Sequence, residues 1–287
     1  VMNKTICDSL IKSGYSQIGK FERLSMTLNK KHKIVNCNGC LEKVILSVCS
    51  DSFHTLVQLC MDLKVPVTFP DDKKYQPVQM TAMLVDPKTG NIVAATQRPT
   101  YNSTTKEGID VQWNNLLTDQ AYEPGSTMKV LALAAAINEG VFDPNEKYKS
   151  GSVKIYTDLV RDYNKVGWGN ITYLEGLAHS SNVAFVYIIQ KIGIEKWKQY
   201  LEAFGFGKST NSGFANEISG SNPFNSYLQQ LSTGFGQGIT VTPYQMMQAF
   251  TAIANGGQMQ KLRLVDHLTD PDTGKETPNP TTSLGKV

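Results

Sequence analysis

Two pairs of polar residues in this chain have the types and spacing of a serine nucleophile with its helpers. Ser126 precedes Lys129 by three residues, and Ser180 precedes Asn182 by two. A serine hydroxyl is a poor nucleophile until a neighbouring base takes its proton. A lysine becomes such a base where burial or a nearby cation lowers its pKa from about 10.4. Together these residues predict acyl transfer through a serine ester.

The Ser-x-x-Lys pattern alone carries little weight, because the chain contains it four times. The other copies begin at Ser9, Ser103 and Ser283. Ser126 differs in its context, since Pro124-Gly125 precedes it and an Ala/Leu run that strongly favours a helix follows Lys129. An ordinary helix N-cap is the alternative role for Ser126.

The helix predicted after Pro124-Gly125 would bring Ser126 and Lys129 together. Gly140 predicts its C-terminal end. Residues three apart share a helix face, so the hydroxyl and the amine can meet in one cleft. The first-turn backbone N–H groups and the helix dipole favour negative charge at the same place.

The stretch 170–192 predicts a short helix, a break and a second helix, with Ser180 and Asn182 at the break. There both side chains can face one cleft. The hydroxyl can relay a proton or tune the lysine, and the amide can bind a substrate peptide group. Ser209-Thr-Asn211 has the same spacing but lies in a stretch rich in Gly, Ser, Thr and Asn, so we interpret it as a loop.

Other elements are predicted around these two pairs. Met80–Val85 and Ile92–Thr96 are β-prone runs separated by a Pro/Gly turn, which predicts a β-hairpin. A later helix should begin at Pro243, with Thr242 as N-cap and Gln245 as its capping-box partner, and end at Gly256.

Composition narrows the class of protein. The 287 residues suffice for one large or two small domains. A net charge of +3 is too small to indicate a basic surface for nucleic-acid binding. With 40% hydrophobic and 18% charged residues, the chain is typical of a globular protein and not of a disordered one. No apolar run approaches the ~20 residues of a membrane helix, so any membrane anchor is expected outside this chain.

The cysteines divide the chain into two predicted parts, 1–74 and 75–287. All of them fall in the first part: Cys7, Cys37, Cys40, Cys49 and Cys60. The second part, free of cysteine, suits an oxidising, extracytoplasmic setting. Zinc is an alternative for the cysteines near His32 and His54, but their spacing matches no closed zinc module. We predict no metal and no cofactor.

The two pairs also carry a family resemblance. Ser126-Thr-Met-Lys129 followed by Ser180-Ser-Asn182 resembles the first two boxes of penicillin-binding proteins. Similarity to class B members, especially the 2x type of Gram-positive bacteria, extends from about Tyr75 to the C-terminus. It is carried by Thr96-Gln-Arg-Pro-Thr-Tyr101, Thr105-Lys-Glu-Gly-Ile109, Tyr122–Val130, Ala178–Val183, Phe235-Gly-Gln-Gly-Ile239 and Ala249–Gly256.

The resemblance implies an α+β transpeptidase fold, in which helices flank an antiparallel sheet and the serine helix is central. It implies a D,D-transpeptidase that cross-links peptidoglycan stem peptides ending in D-Ala-D-Ala and that β-lactams acylate. Ser126 would be the nucleophile, Lys129 the general base, and Ser180 and Asn182 the relay and substrate-orienting pair. Tyr163 would line the substrate cleft, with a solvent-edge tyrosine as the alternative.

The same resemblance places the domain at the extracytoplasmic face of the cell membrane, with cell-division proteins as further partners. Two alternative functions are a serine β-lactamase or β-lactam sensor, and a non-catalytic component of a division complex.

Two departures from the family pattern matter. A third box, Lys-Ser/Thr-Gly on a strand, should follow Ser180, but Lys88-Thr-Gly90 and Lys149-Ser-Gly151 both precede it. We therefore expect the C-terminal strands to be missing, and with them part of the oxyanion hole, which puts the activity of this chain alone in doubt. Residues 1–74 show no resemblance to the family and are assigned no role.

Overall fold

The computed structural model describes residues 79–287 and four short strands nearer the N-terminus. These strands form two antiparallel pairs. They are β1 (Gln17–Ile18) with β2 (Met26–Thr27), and β3 (Val67–Thr68) with β4 (Lys74–Tyr75). The cysteines, and with them the zinc alternative, lie outside the described residues.

The chain divides into two compact units, one of Val1–Val85 and Ile92–Trp113, the other of Asp86–Asn91 and Asn114–Val287. In the first unit, β5 (Met80–Val85) pairs antiparallel with β6 (Ile92–Arg98), with a register shift next to Val85. The predicted hairpin is therefore confirmed, and its second strand runs two residues beyond the predicted end at Thr96.

The second unit holds six α-helices and eight strands among the described residues. The helices are α1 (Met128–Asn138), α2 (Tyr173–Ala178), α3 (Asn182–Ile192), α4 (Ile194–Ala203), α5 (Tyr227–Ser232) and α6 (Pro243–Ala254). The strands are β7 (Lys147–Lys149), β8 (Ser152–Ile155), β9 (Asp158–Arg161), β10 (Asn170–Thr172), β11 (Gln258–Gln260), β12 (His267–Thr269), β13 (Glu276–Pro278) and β14 (Ser283–Lys286).

All four strand pairs of this unit are antiparallel: β7 with β10, β8 with β9, β11 with β14, and β12 with β13. The predicted α+β class with antiparallel strands is confirmed. Among the described residues each strand pairs with one other strand. The buried hydrophobic core consists mainly of side chains from the helices.

Local sequence signals explain where two of the helices begin. Thr172 caps α2 and Thr242 caps α6, each through a capping box completed by Glu175 or Gln245. In both boxes the threonine hydroxyl accepts from a first-turn N–H, and the longer side chain returns to the cap N–H. The predicted beginning of α6 is confirmed, and Gly256 follows its end with a left-handed φ of +60°.

The core lies where α1 packs against α3. Met128, Leu131 and Ala132 of α1 and Val183, Phe185 and Ile189 of α3 are fully buried. Alanines on α1 let the two helices approach closely, and burying a leucine such as Leu131 stabilises the fold by about 2–3 kcal/mol. The predicted helix after Pro124-Gly125 is confirmed, and Gly140 follows its end with a φ of +68°. Among the described residues, no helix is both long enough and apolar enough to cross a bilayer.

Candidate active site

Ser126 lies in a short 3-10 turn, Gly125–Thr127, that leads directly into α1. Its side chain is exposed and caps neither the turn nor the helix. The neighbouring Thr127 hydroxyl donates instead to the Pro124 carbonyl, at 2.7 Å. The alternative of an ordinary N-cap serine is therefore wrong, and the Ser126 oxygen is presented to solvent at the helix start.

The segment after α5 fixes the approach to this turn. The Gly125 N–H donates to the Gly236 carbonyl at 3.0 Å, and Tyr122 forms an antiparallel bridge with Val241. Gly236 has a φ of +77°, and a Cβ there would collide with the Gly125 backbone. A glycine is required at 236 because two backbones meet without room for a side chain.

Lys129 is 3% exposed and joins the two predicted pairs. Its Nζ donates to the Ser180 carbonyl at 2.6 Å, to Ser180 Oγ at 3.0 Å and to Asn182 Oδ1 at 2.8 Å. Ser180 Oγ in turn donates to Ser126 Oγ at 3.0 Å. The structure thus brings all four residues into one hydrogen-bonded cluster, in which the path from Lys129 to Ser126 passes through Ser180.

The environment of Lys129 makes its amine a usable base. Burial lowers its pKa from 10.5 to about 8, against the opposing effect of the negative Asp162. The Phe185 ring centroid lies 5.6 Å from Nζ and forms part of the apolar surroundings. With a pKa of about 8, roughly one lysine in ten is neutral at pH 7, against fewer than one in a thousand for a free lysine.

The backbone between α2 and α3 aims Ser180 at this lysine. Ser180 has a left-handed φ of +54°, the Ser181 N–H donates to the Gly176 carbonyl, and the Ser180 N–H donates to Leu177. This is the Schellman pattern that ends many helices, with serine at the position that glycine usually takes. The predicted break between two helices is confirmed, and the turn explains why Ser180 and Asn182 reach the same Nζ.

Sequence reasoning missed Asp162, which supports this turn from beneath. The side chain is 1% exposed, and its carboxylate accepts from the Gly151 N–H at 2.7 Å, the Ser181 hydroxyl at 2.8 Å and the Val183 N–H at 3.0 Å. Asp162 follows directly after β9, and no periodicity or spacing in the sequence distinguishes it from an exposed aspartate.

Tyr163 lies at the edge of an aromatic group beside the cluster. Its side chain is 56% exposed, and its ring meets Trp168 edge-on at 5.6 Å. Trp168 stacks flat on His179 at 4.4 Å, and His179 immediately precedes Ser180. Neither Trp168 nor His179 was predicted as a site residue from the sequence, although a tryptophan among glycines shortly before the second box is a signal for one.

The other copies of the motifs lie elsewhere in the fold. Lys88-Thr-Gly90 occupies the tight turn after β5, where the Asp86 carboxylate accepts from Lys88 N–H and from the Thr89 hydroxyl. Ser283 and Lys286 lie on the exposed strand β14. Across residues 79–287, no group of three or more His, Cys, Asp or Glu side chains could hold a metal ion.

Comparison with known families decides the relationship. The model of the penicillin binding protein transpeptidase domain matches residues 80–284. The chain belongs to this family. The match contains every residue of the cluster as well as the hairpin β5–β6.

Individual members of the transpeptidase family show how much of a relative the chain represents. Stage V sporulation protein D of Bacillus subtilis is 34% identical over 211 residues, which cover 71% of this chain and 33% of the relative. Penicillin Binding Protein 2X from Streptococcus thermophilus superposes with a TM-score of 0.72 at 34% identity, covering 81% of this chain and 34% of that one. The chain therefore spans about a third of the length of these two relatives.

A further solved transpeptidase relative carries a bound β-lactam. Penicillin binding protein 3 of Mycobacterium tuberculosis, complexed with aztreonam, matches with a TM-score of 0.65 at 28% identity and covers 72% of this chain and 48% of that one.

One relative has a different kind of name. Autophagy-related protein 2 of Candida glabrata is 94% identical over 83 residues, which cover 29% of this chain and 5% of that protein. The transpeptidase match begins at residue 80. A stretch of 83 residues in this chain therefore resembles a protein whose name does not refer to transpeptidases.

Proposed function

We propose that this chain carries the serine acyl-transfer site of a peptidoglycan D,D-transpeptidase, with Ser126 as nucleophile. The observation that carries the proposal is the unbroken path from buried Lys129 through Ser180 to the exposed Ser126 oxygen. A nucleophile needs a base within hydrogen-bond reach, directly or through one relay, and this cluster supplies both. Relatives named as peptidoglycan D,D-transpeptidases support the reaction class.

In the proposed mechanism the neutral amine of Lys129 accepts a proton along this path, after both hydroxyls have rotated so that Ser126 donates to Ser180 and Ser180 donates to Nζ. Ser126 Oγ attacks the carbonyl carbon of the terminal D-Ala-D-Ala peptide bond while its proton passes to Ser180, and the Ser180 proton passes to Nζ. The C–N bond then breaks, the departing D-Ala amine takes a proton from the lysine, and an ester remains on Ser126. In the second half-reaction an amine of a neighbouring strand attacks the ester carbonyl and the bond to Ser126 Oγ breaks. The proton lost by the amine passes through Lys129 and Ser180 to Ser126 Oγ, which restores the serine.

The remaining predicted residues have supporting roles in this proposal. Asn182 donates through Nδ2 to the Arg161 carbonyl at 3.2 Å while its Oδ1 accepts from Lys129. An amide held in this way is oriented to meet a substrate peptide group. Tyr163, exposed beside Trp168, offers an aromatic surface for the substrate side chains next to the cleft.

β-Lactams and stem peptides are the proposed partners of the site. Support comes from the solved relative complexed with aztreonam and from the hydroxyl exposed at the start of α1. We place the domain at the extracytoplasmic face of the cell membrane, where peptidoglycan strands are cross-linked, with cell-division proteins as further partners.

Fluorescent penicillin provides the test of the nucleophile. We expect the full chain, slowed by the lack of a Lys-Ser/Thr-Gly box after Ser180, to form a long-lived adduct that intact mass spectrometry and peptide mapping assign to Ser126, and Ser126→Ala to form none. Ser103→Ala is the matched control, because Ser103 also precedes a lysine by three residues and should leave labelling unchanged. Labelling that survives Ser126→Ala would refute the proposal, and rapid release of hydrolysed penicillin would favour a β-lactamase.

We also propose that residues 1–74 are a separate segment with no role in this chemistry. The start of the family match at residue 80 supports this. Limited proteolysis of the full chain should yield a resistant fragment that begins near residue 75 and still binds labelled penicillin. A fragment that loses labelling when the segment is removed would contradict the proposal.

A further inference from the structure

Asp162 is a buried carboxylate that the proposed reaction does not use directly. It accepts hydrogen bonds from three separate places in the chain: Gly151 just before β8, the N-cap Ser181, and Val183 in the first turn of α3. Two of these donors flank Asn182, and Ser181 follows Ser180 directly. The carboxylate therefore holds the turn that carries both side chains facing Lys129.

The donors also satisfy both oxygens of a carboxylate that is closed off from water. The Gly151 N–H donates to one oxygen, and the Ser181 hydroxyl and the Val183 N–H donate to the other. The Asp162 N–H additionally donates to the Gly151 carbonyl at 2.9 Å, so its own backbone is fixed in place. A Cβ at Gly151 would collide with the backbone of Val166 and Gly167, which keeps this residue a glycine.

The groups around Lys129 leave Asp162 as its electrostatic partner among the described residues. The Ser180 turn and α3 present neutral atoms to Nζ, namely two serine oxygens, the Asn182 amide oxygen and the Phe185 ring. Asp162 acts on Lys129 through its charge and raises the lysine pKa against the effect of burial. On β7, Tyr148 also faces Asp162, and burial first of all raises the Tyr148 pKa to about 12, so that neighbour is neutral.

We propose that Asp162 is a positioning residue for the Ser126 chemistry, which holds Ser180 and Asn182 against Lys129 and balances the lysine charge. The proposal rests on the function proposed above, but its main test does not require acylation. A carboxylate acting only as a fold support would fix the turn without affecting how the lysine titrates. A positioning residue with a charge facing the lysine must affect both.

The deciding experiment titrates Lys129 by NMR in the full chain, with lysine ε-carbons labelled and the signal assigned by its loss in Lys129→Arg. In Asp162→Asn, which keeps the side-chain shape and removes the charge, we expect the titration midpoint to move to lower pH by about one unit from its position near 8. The pH at which the penicillin acylation rate rises should fall by the same amount. The rate at the high-pH plateau should fall by about 10-fold or more, because one carboxylate oxygen becomes an NH₂ group that cannot accept a hydrogen bond.

Two variants separate charge from structure. Asp158→Asn removes the same charge from an exposed position on the adjoining strand β9 and should leave the Lys129 midpoint unchanged. Ser181→Ala removes one donor to Asp162 and the side-chain cap of α3 but keeps the carboxylate. It should lower the thermal midpoint and slow acylation while the Lys129 midpoint stays within about 0.3 pH units of the parent.

A folded Asp162→Asn variant with an unshifted Lys129 midpoint would overturn the proposal, as would one that keeps the parent's acylation rate at the high-pH plateau. If Asp162→Asn does not fold, Asp162→Glu takes its place. It keeps the charge but displaces the turn, so slow acylation at an unchanged midpoint supports the inference and parental acylation refutes it. A parent chain that shows the titration but no penicillin adduct would refute the proposed function and leave the electrostatic part of the inference supported.

Discussion

Two loops of this protein are built around a carboxylate that collects hydrogen-bond donors, and each contains a Ser-x-Asn sequence. In one, Asp162 holds the Ser180–Asn182 turn. In the other, Glu217 accepts from the Ser209 hydroxyl at 3.0 Å, the Thr210 hydroxyl at 2.8 Å and the Ser212 N–H at 2.8 Å. Their local chemistry is similar, since serine and backbone donors surround an acid and each Ser-x-Asn sequence has one residue at positive φ, Ser180 in the first and Asn211 in the second.

The loops differ in what lies against them. The Ser180–Asn182 turn that Asp162 holds faces the start of α1. There α1 contributes the buried amine of Lys129, and the 3-10 turn before it contributes the exposed Ser126 hydroxyl. The Glu217 loop faces α6, where the Gln245 amide donates to the carbonyls of Lys208 and Ser219. A glutamine amide can hold a loop but cannot accept a proton at neutral pH. A serine and an asparagine two residues apart therefore become reactive because of the side chains that pack against them, and not because of their spacing.

Removing the lysine should give the largest effect. Lys129→Ala takes away the base, and we expect the second-order rate of penicillin acylation to fall by about 10³-fold, within the range usual for a general base. Lys208→Ala, beside the Glu217 loop, should leave the rate unchanged. Stopped-flow fluorescence with labelled penicillin measures both. A Lys129→Ala variant within tenfold of the parent rate would mean that the base lies elsewhere.

Replacing the serine of each loop tests the comparison directly. Ser180→Ala breaks the path between Lys129 and Ser126 and should lower acylation by about 10²-fold, with little change in thermal midpoint because alanine keeps a similar backbone cost at positive φ. Ser209→Ala removes one hydrogen bond to Glu217, which should cost about 0.5–1.5 kcal/mol of stability and leave acylation intact. If Ser180→Ala and Ser209→Ala lowered acylation equally, the two loops would not differ in function.

The two variants Lys129→Ala and Ser180→Ala should also differ in their pH response. Because burial lowers the Lys129 pKa to about 8, acylation by the parent should rise with pH through about 8. Ser180→Ala retains the base, so its acylation rate should be lower but should still rise with pH through about 8. Lys129→Ala should lose this rise. A rise that persists without the lysine would assign the titration to another group.

The smallest expected effect concerns the pH dependence of the Glu217 loop. Burial alone would raise the Glu217 pKa, but hydrogen bonds from Ser212 and Thr210 prevail and lower it to about 2. Since the folded pKa lies below the unfolded value of about 4.3, this carboxylate stabilises the protein above that pH and stops doing so as the pH falls towards 2.

Glu217→Gln should therefore destabilise the protein at pH 7 by about 1–2 kcal/mol, a figure reduced for the partial exposure of the side chain. The difference from the parent should shrink between about pH 5 and pH 2. Urea unfolding at several pH values measures it, with acylation at pH 7 as the control that should not change. A difference independent of pH would show that the ionised carboxylate is not what holds the loop.

The elements that the sequence predicted correctly are those whose signal acts on its own backbone. The hairpin β5–β6, the end of α1 shortly before Gly140 and the capping box of α6 at Thr242 all follow from turn and cap chemistry within a few residues. Asp162 escaped because its partners, Gly151 and Val183, lie 11 and 21 residues away, and a buried aspartate has the same letter as an exposed one.

The amino-acid sequence by itself determined which residues could react, because the types and spacing of Ser126, Lys129, Ser180 and Asn182 are local properties of the chain. It also determined the helices that carry or border them. Only the tertiary structure decided that Lys129 reaches Ser126 through Ser180 and that Asp162 lies beneath the turn. The physical reason is that the burial of a side chain and the charges around it depend on which segments pack together. The sequence of a single segment does not determine that packing.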